Sequence, residues 1–313
     1  MAAPRTVERI VALIRDTSSS LPDDAERGLR AALRREEKGS GAATVLSTIL
    51  KNVRLARKDG TPLCQDTGTL TFFVDERLRA KVTPEAIGEA VAKATELGYL
   101  RRNTIESLSG LSVDSNVCPG APVIHYVQSM ALRMPGDGDA TLVGRPPRDG
   151  DAAMVGRDHR ARRVTLIMKG GGSENMSRQY SLPDASLGAG RDLEGVRRCV
   201  LDAVFQAQGY GCAPGVLGVC IGGDRASGYE EAKLQLLREI GGAKGAVSPK
   251  MRAFEKKLLA ECNSLGIGPM GLGGKTTLLD VHVGVRPRVP ASFFVTVAYL
   301  CWAARRRTIE FKV

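Results

Sequence analysis

Five short turns carry the residues of this chain most able to do chemistry. They are "PLCQDTGT" (62–69), "KGGGSEN" (169–175), "GYGCAPG" (209–215), "GLGGKTT" (271–277) and "YLCWAARR" (299–306). Each borders a strand-like run or a helix end, where backbone N–H groups can point into a cleft. Three of them hold a cysteine: Cys64, Cys212 and Cys301. Three thiolates leave one iron of a four-iron cluster without a protein ligand, open to substrate as a Lewis acid. Such ligands can be far apart in sequence, because the fold gathers them. Packed, inert thiols are the plainer reading of the same residues.

The turn around Lys275 invites a second reading, a phosphate-binding P-loop. That motif needs a glycine, four residues, then Gly-Lys-Ser/Thr. The first glycine should be residue 269, which is Pro269; Gly268 is one residue too early. A strand should feed the loop, yet "FEKKLLAECNSLGI" before it has helical spacing and ends at Gly266. The spacing speaks against nucleotide binding.

Taken together, "PLCQDTGT", "KGGGSEN", "GCAPG" and "GGKTT…VHVG…PAS…CWAAR" resemble the class I, iron–sulfur fumarate hydratase family. The likeness is to the alpha subunit of its two-subunit members, among them tartrate dehydratases. It runs in the family's order from about residue 8 to the C-terminus. The resemblance implies a hydro-lyase acting on a small dicarboxylate, of the fumarate-to-malate type or on tartrate or another hydroxy acid. It implies a [4Fe–4S] cluster on Cys64, Cys212 and Cys301. Gln65 and Asp66 resemble the family's substrate-contacting pair. Asp66 would hold a substrate hydroxyl or move a proton, or else cap its own Asp-Thr-Gly turn. Arg101 or Arg102 would clamp a carboxylate, and Gly170, Gly171 and Gly172 would offer it backbone N–H groups. Lys275 would face an anionic group or cap a turn. Cys199, Cys220 and Cys262 read as packed thiols.

The family's second part, a separate beta subunit in such members, supplies further substrate contacts and a catalytic threonine. No such domain follows Val313, so the resemblance implies an obligate partner in an assembly of two alpha and two beta subunits (α2β2). A non-catalytic binding or assembly relative is the competing class. Two departures keep it open. The turn "NVCPGAP" (116–122) keeps only the ends of the family pattern and brings in Cys118. Val289 in "RPRVPAS" stands where the family commonly has a histidine, and His282 is no obvious substitute.

Composition bounds the rest. A net charge of +11 suits an anionic substrate, but no nucleic-acid motif accompanies it, and aromatics are scarce at 4%. No run of 18 apolar residues and no signal peptide is seen. Seven scattered cysteines without a CxxC suit a reducing cytoplasm. No nucleic-acid or membrane partner is expected.

The elements that must position these turns form an α+β (mixed α/β) chain: a helical start packed on mixed-sheet lobes around the cluster cleft. Residues 1–313 read as one domain, with helices over about 1–60 and a mixed body over 61–313. "TVERIVALIRD", "DDAERGLRAALRREE" and "AATVLSTILKNVRLARKDG" have helical spacing, as does "TPEAIGEAVAKATELGYLRR" behind Thr83 and Pro84. "TLTFFV", "PVIHYVQ", "RVTLIM", "GVLGVCIGG" and "LLDVHVGVR" read as strands. Further helices are expected near 191–208, 228–240 and 250–264. The Gly-, Pro- and Asp-rich stretch 135–162, with a lone His159, reads as a surface excursion without chemistry.

Overall fold

The computed structural model of the protein describes residues 4–127, 162–242 and 245–311. The excursion expected at 135–162, His159 included, lies outside the described residues but for its last residue, which opens a strand. The helical start is formed by α1 (Pro4–Ser19), α2 (Asp23–Arg35) and α3 (Gly41–Asp59). Ser40 caps α3 by accepting the Ala43 N–H, and Gly60 ends it in the left-handed region at φ 66°. α4 (Pro84–Glu96) starts on Thr83 and Pro84 as expected. It stops short of Arg102 because Gly98 turns left-handed at φ 76°.

Two four-stranded sheets make up the body. The first holds β1 (Thr69–Asp75), β4 (Val123–Val127), β5 (Arg162–Lys169) and β10 (Arg306–Phe311), in the order β10-β5-β1-β4. A small hairpin of β2 (Thr104–Ile105) and β3 (Ser112–Val113) stands apart. The second sheet holds β6 (Arg178–Ser181), β7 (Gly215–Gly222), β8 (Leu278–Arg286) and β9 (Phe294–Leu300), in the order β6-β9-β7-β8. Both sheets mix parallel and antiparallel pairs: β1 with β4 and β7 with β8 are parallel. The sequence missed β10, because the end of "SFFVTVAYLCWAARRR" reads as one run. The structure breaks that run at 301–305 and sends its two halves to different sheets.

Strand alternation assigns each face. Phe72, Leu166 and Met168 pack on one side of the first sheet with α1 and α4; Phe73 and Ile167 face the other way. In the second sheet Leu217, Val219, Val297 and Tyr299 meet α6 (Leu193–Ala207) and α8 (Pro249–Ser264). Val216, Cys220, Ala298 and Leu300 face inward. There they share a central core with Phe73, Ile167, α2, α3 and α7 (Arg225–Gln235). The chain passes between the sheets at 170–177, through the short helix α5 (Gly171–Asn175), and again at 301–305. No helix among the described residues is long and apolar enough to cross a membrane.

Buried ion pairs brace this arrangement. Glu255, 0% exposed, accepts from Arg238 at 2.6 and 3.2 Å, from Arg252 at 3.0 Å and from the Val283 N–H at 2.8 Å. Asp280 accepts from the Gly241 N–H at 2.7 Å, and its carboxylate meets His282 Nε2 at 3.1 Å. Burial opposes charge on Asp280, but His282 and these backbone donors together hold its carboxyl below the ordinary value of 3.8.

Two outcomes are expected. Glu255→Ala leaves two arginines and a backbone donor without their acceptor, so urea unfolding should show a loss of about 3–5 kcal/mol. Glu76→Ala removes a surface pair with Arg79 and should leave the midpoint where it is. Asp280 binds a proton more readily when unfolded, so the stability it contributes is present above pH 3.8 and is lost as pH falls through its folded value. Asp280→Asn should therefore flatten the acid side of the stability profile measured by urea unfolding.

Candidate functional site

The site lies where the chain passes between the sheets. Three of the expected turns meet there directly. Cys64 is half-buried in the turn between α3 and β1, and its Sγ accepts the Asp66 N–H at 3.5 Å. Cys212 lies just before β7, and Cys301 just after β9, where Val216 pairs with Leu300. The Trp302 N–H donates to the Cys212 carbonyl at 3.1 Å and ties the two turns together. Burial first, then Cys64 and Asp66, push the Cys212 thiol up. Burial pushes Cys301 up to about 11; Arg305 works in the opposite direction, while Cys212 and Cys64 add to the rise.

Cys212 carries a second signature. Its φ is 55°, in the left-handed region that a Cβ disfavours. Glycines flank it at 211 and 215, yet the strained position itself keeps a cysteine. Strain of this kind costs on the order of 1–3 kcal/mol and gathers at functional sites.

Asp66 is held from three directions. Its Oδ1 accepts the Gly68 N–H at 2.7 Å and the Asn103 side-chain amide at 2.9 Å, and its Oδ2 accepts the Gly171 N–H at 2.7 Å. Two glycines allow the approach. A Cβ at Gly68 (φ 73°) would stand 2.5 Å from the Lys169 carbonyl oxygen, and one at Gly170 would stand 2.9 Å from Asp66 Oδ2. The turn-cap reading of Asp66 is thus correct in part, since Gly68 belongs to its own turn, but the carboxylate also reaches two other segments. Of the three expected glycine donors, Gly171 spends its N–H on Asp66, Gly170 is buried, and Gly171 and Gly172 are exposed.

The two arginines separate. Arg102 stands 3.9 Å from Asp114. The exposed Arg101 side chain makes no ion pair among the described residues, while its backbone is pinned. Thr67 Oγ1 accepts its N–H and donates to its carbonyl, each at 2.9 Å, and Asn116 donates to the same carbonyl. Gln65 is exposed on the same turn. Asn116, the first residue of "NVCPGAP", also accepts from the backbone of Asn103 and Thr104, so this turn positions the arginine segment. Cys118 is bound up in a turn closed on Ala121.

The turn at 268–277 reaches the site only at one end. Met270 donates its N–H to the Ala213 carbonyl at 3.0 Å, beside Cys212. At the other end Lys275 is exposed, and its backbone N–H meets both oxygens of Glu36 at 3.1 and 2.9 Å. The carboxylate this loop holds is the chain's own. Val289 is 65% exposed beyond the opposite end of β9 from Cys301. β9 has 7 residues, so at ~3.3 Å each its ends stand roughly 20 Å apart. Within this chain the change at Val289 does not touch the thiols.

Sequence reasoning missed Asn103, Lys169 and Arg305, although each lies in or beside a quoted motif. Lys169 is 2% exposed and pairs with Glu174, which also meets Lys233 at 2.6 Å. Burial brings Lys169 down to about 8, against the opposing pull of Glu174. Cys199, Cys220 and Cys262 are buried in the core, and burial pushes each up to about 12, as expected of packed thiols. Among the described residues no three Cys, His, Asp or Glu side chains converge on a point where a single metal ion would sit.

The family model for fumarate hydratase (fumerase) matches residues 7–140 and 148–310. A putative class I fumarate hydratase of Geobacillus stearothermophilus is 42% identical over 309 residues, which is 96% of this chain and 53% of the relative. The chain thus spans about half of that protein. A putative L(+)-tartrate dehydratase subunit alpha of Methanocaldococcus jannaschii is 32% identical over 310 residues, covering 97% of this chain and 96% of the relative. The L(+)-tartrate dehydratase subunit alpha of an Escherichia coli strain is 28% identical over 296 residues, covering 94% and 86%. With nearly its whole length matched, the chain belongs to the fumarate hydratase (fumerase) family.

Proposed function

We propose that the chain is the cluster-bearing alpha subunit of an iron–sulfur hydro-lyase. Its reaction is the reversible hydration of a small unsaturated dicarboxylate, of the fumarate-to-malate type or the corresponding dehydration of tartrate. The observation that carries this reading is the junction of the three cysteine-bearing turns: the segment after Cys301 bonds the Cys212 turn through the Trp302 N–H, and the Cys64 turn bonds the Gly171 crossing through Asp66, a carboxylate fixed by three donors. The names of the similar proteins, two of them alpha subunits, support a beta subunit as partner. Seven cysteines free of disulfides support a reducing, cytoplasmic setting.

The donor set fits a [4Fe–4S] cluster. All three donors are sulfur, the ligand type that selects such clusters. Each thiolate of a cluster takes a different iron, so its ligands stand farther apart than those around a single ion. Thiols within electrostatic reach that do not converge on one point are consistent with this. When bound, the cluster supplies a Lewis-acid iron with an open position for the substrate hydroxyl.

The chain's own residues do the rest. A carboxylate has about four lone-pair sites, and three of those on Asp66 are taken. The free one is on Oδ2, the oxygen nearest Gly170. It accepts the substrate hydroxyl hydrogen or the proton that moves during the reaction. Arg101, pinned by its backbone and free in its side chain, clamps a substrate carboxylate, with Gln65 and the Gly172 N–H beside it. Lys275 contributes positive potential at the rim. Dehydration breaks one C–O and one C–H bond and releases water, with no net change in electrons. The further substrate contacts come from the beta subunit.

Cys64→Ser, Cys212→Ser and Cys301→Ser should each abolish the brown visible absorbance and iron content of anaerobically purified protein. Cys118→Ser and Cys220→Ser should keep both. Equal iron in all five variants would sink the cluster reading. Asp66→Asn should keep its iron yet lose about 100-fold or more in turnover, assayed with the co-purified partner. Assays on malate, fumarate and tartrate then choose the substrate.

A further inference from the structure

Arg305 is 1% exposed and is among the largest fully buried side chains of the protein. Its Nε and Nη1 are closed off and have no hydrogen-bond partner, and no ion pair engages its guanidinium among the described residues. Its neighbours in burial differ. Lys169 has Glu174, Arg238 has Glu255, and Arg306 has Asp24. An unpaired buried charge costs several kcal/mol, so a fold that retains one is short of an anion.

The guanidinium has a fixed place. The Met168 N–H donates to the Arg305 carbonyl at 2.9 Å, and the Arg305 N–H donates to the Ala303 carbonyl at 2.7 Å. The backbone is therefore locked where the chain enters β10. Nη2 is 4.0 Å from where a Cβ on Gly170 would stand, on the side where Asp66 Oδ2 is 2.9 Å from the same point. Asp66 is not an ion-pair partner, because no Asp66 oxygen comes within 4.0 Å of the guanidinium; its three donors are Gly68, Gly171 and Asn103. Cys301 lies four positions earlier on the same crossing segment, within reach of the guanidinium's field.

We propose that Arg305 is the built-in countercharge of the thiolate-held cluster, a positioning residue that stabilises the loaded site and sets how readily it accepts an electron. This rests on the cluster reading above. Nε and Nη1 are closed to any ligand, so the guanidinium acts on a resident anion through its field and not by contact at those atoms. Net charge and hydrogen bonding around the sulfurs are the protein's main controls on a cluster.

The test compares Arg305→Gln and Arg305→Lys in the full chain, produced with its partner and purified anaerobically. Arg305→Gln should release iron to a chelator about 10–100-fold faster than wild type. Its midpoint potential should fall, because an added electron has lost a nearby cation. Arg305→Lys keeps the charge and should stay near wild type in potential. Thermal melting of the iron-free chains separates a structural role: with no anion present, Arg305→Gln should be as stable as wild type or more so. Iron loss and potential unchanged in Arg305→Gln would overturn the inference while leaving the cluster reading in place. So would an iron-free Arg305→Gln that melts early, or one whose only defect is a raised KM. A wild-type chain that holds no iron at all would overturn both.

Discussion

The site depends on one covalent constraint: the chain must pass between two sheets, and the two passages lie side by side at the strand ends, where the Met168 N–H meets the Arg305 carbonyl. β5 ends in the first sheet and β6 begins in the second, with Gly170, Gly171 and Gly172 between them. β9 ends in the second sheet and β10 begins in the first, with Cys301 and Arg305 between them. Neither segment can continue a ladder, so their backbone groups must find other partners. They find each other and the neighbouring turns. Met168 bonds to Arg305, Trp302 to the Cys212 turn, and Gly171 to Asp66. Backbone satisfaction at the crossings and assembly of the site are the same set of hydrogen bonds.

Electrostatics separates the parts of the protein that are complete from the part that awaits something. Away from the crossing several buried charges meet opposite ones. Arg306 is clamped by Asp24 and the Arg238 carbonyl, and Asp24 also takes the Ile240 N–H. Around the crossing the balance is left open. Two thiols are pushed up by burial, a guanidinium has no ion-pair partner among the described residues, and a cysteine stands at positive φ. Each of these is unfavourable for the side chains taken alone. A resident group that supplies metal to the thiols and negative charge to Arg305 relieves them together.

Much of this was legible in the sequence, for reasons that can be named. Periodicity and capping gave α1 to α4, α6 and α8, since Thr83, Pro84 and Gly60 act locally. The five turns were visible because glycine and cysteine stand out in a chain of ordinary composition. What escaped depends on distant contacts. Asn103 looks like any polar loop residue until its amide meets Asp66, 37 positions away. Arg305 is one of several arginines near the C-terminus until the fold buries it with no ion-pair partner among the described residues. Lys275 read as facing an anionic group or capping a turn; that Glu36, at the end of α2, accepts its backbone N–H is a contact across 239 positions. Val289 is 12 positions before Cys301, and β9 lays that stretch out straight, so within this chain it stands away from the thiols.

The central claim is that three thiols of this chain hold a cluster whose fourth iron is left for substrate. Mössbauer spectroscopy of the isotopically iron-enriched enzyme, with and without a saturating dicarboxylate, tests it most directly. The account predicts that one iron in four changes its signal when the dicarboxylate binds while the others stay as they are. Four irons that respond alike, or no cluster signal at all, would contradict it.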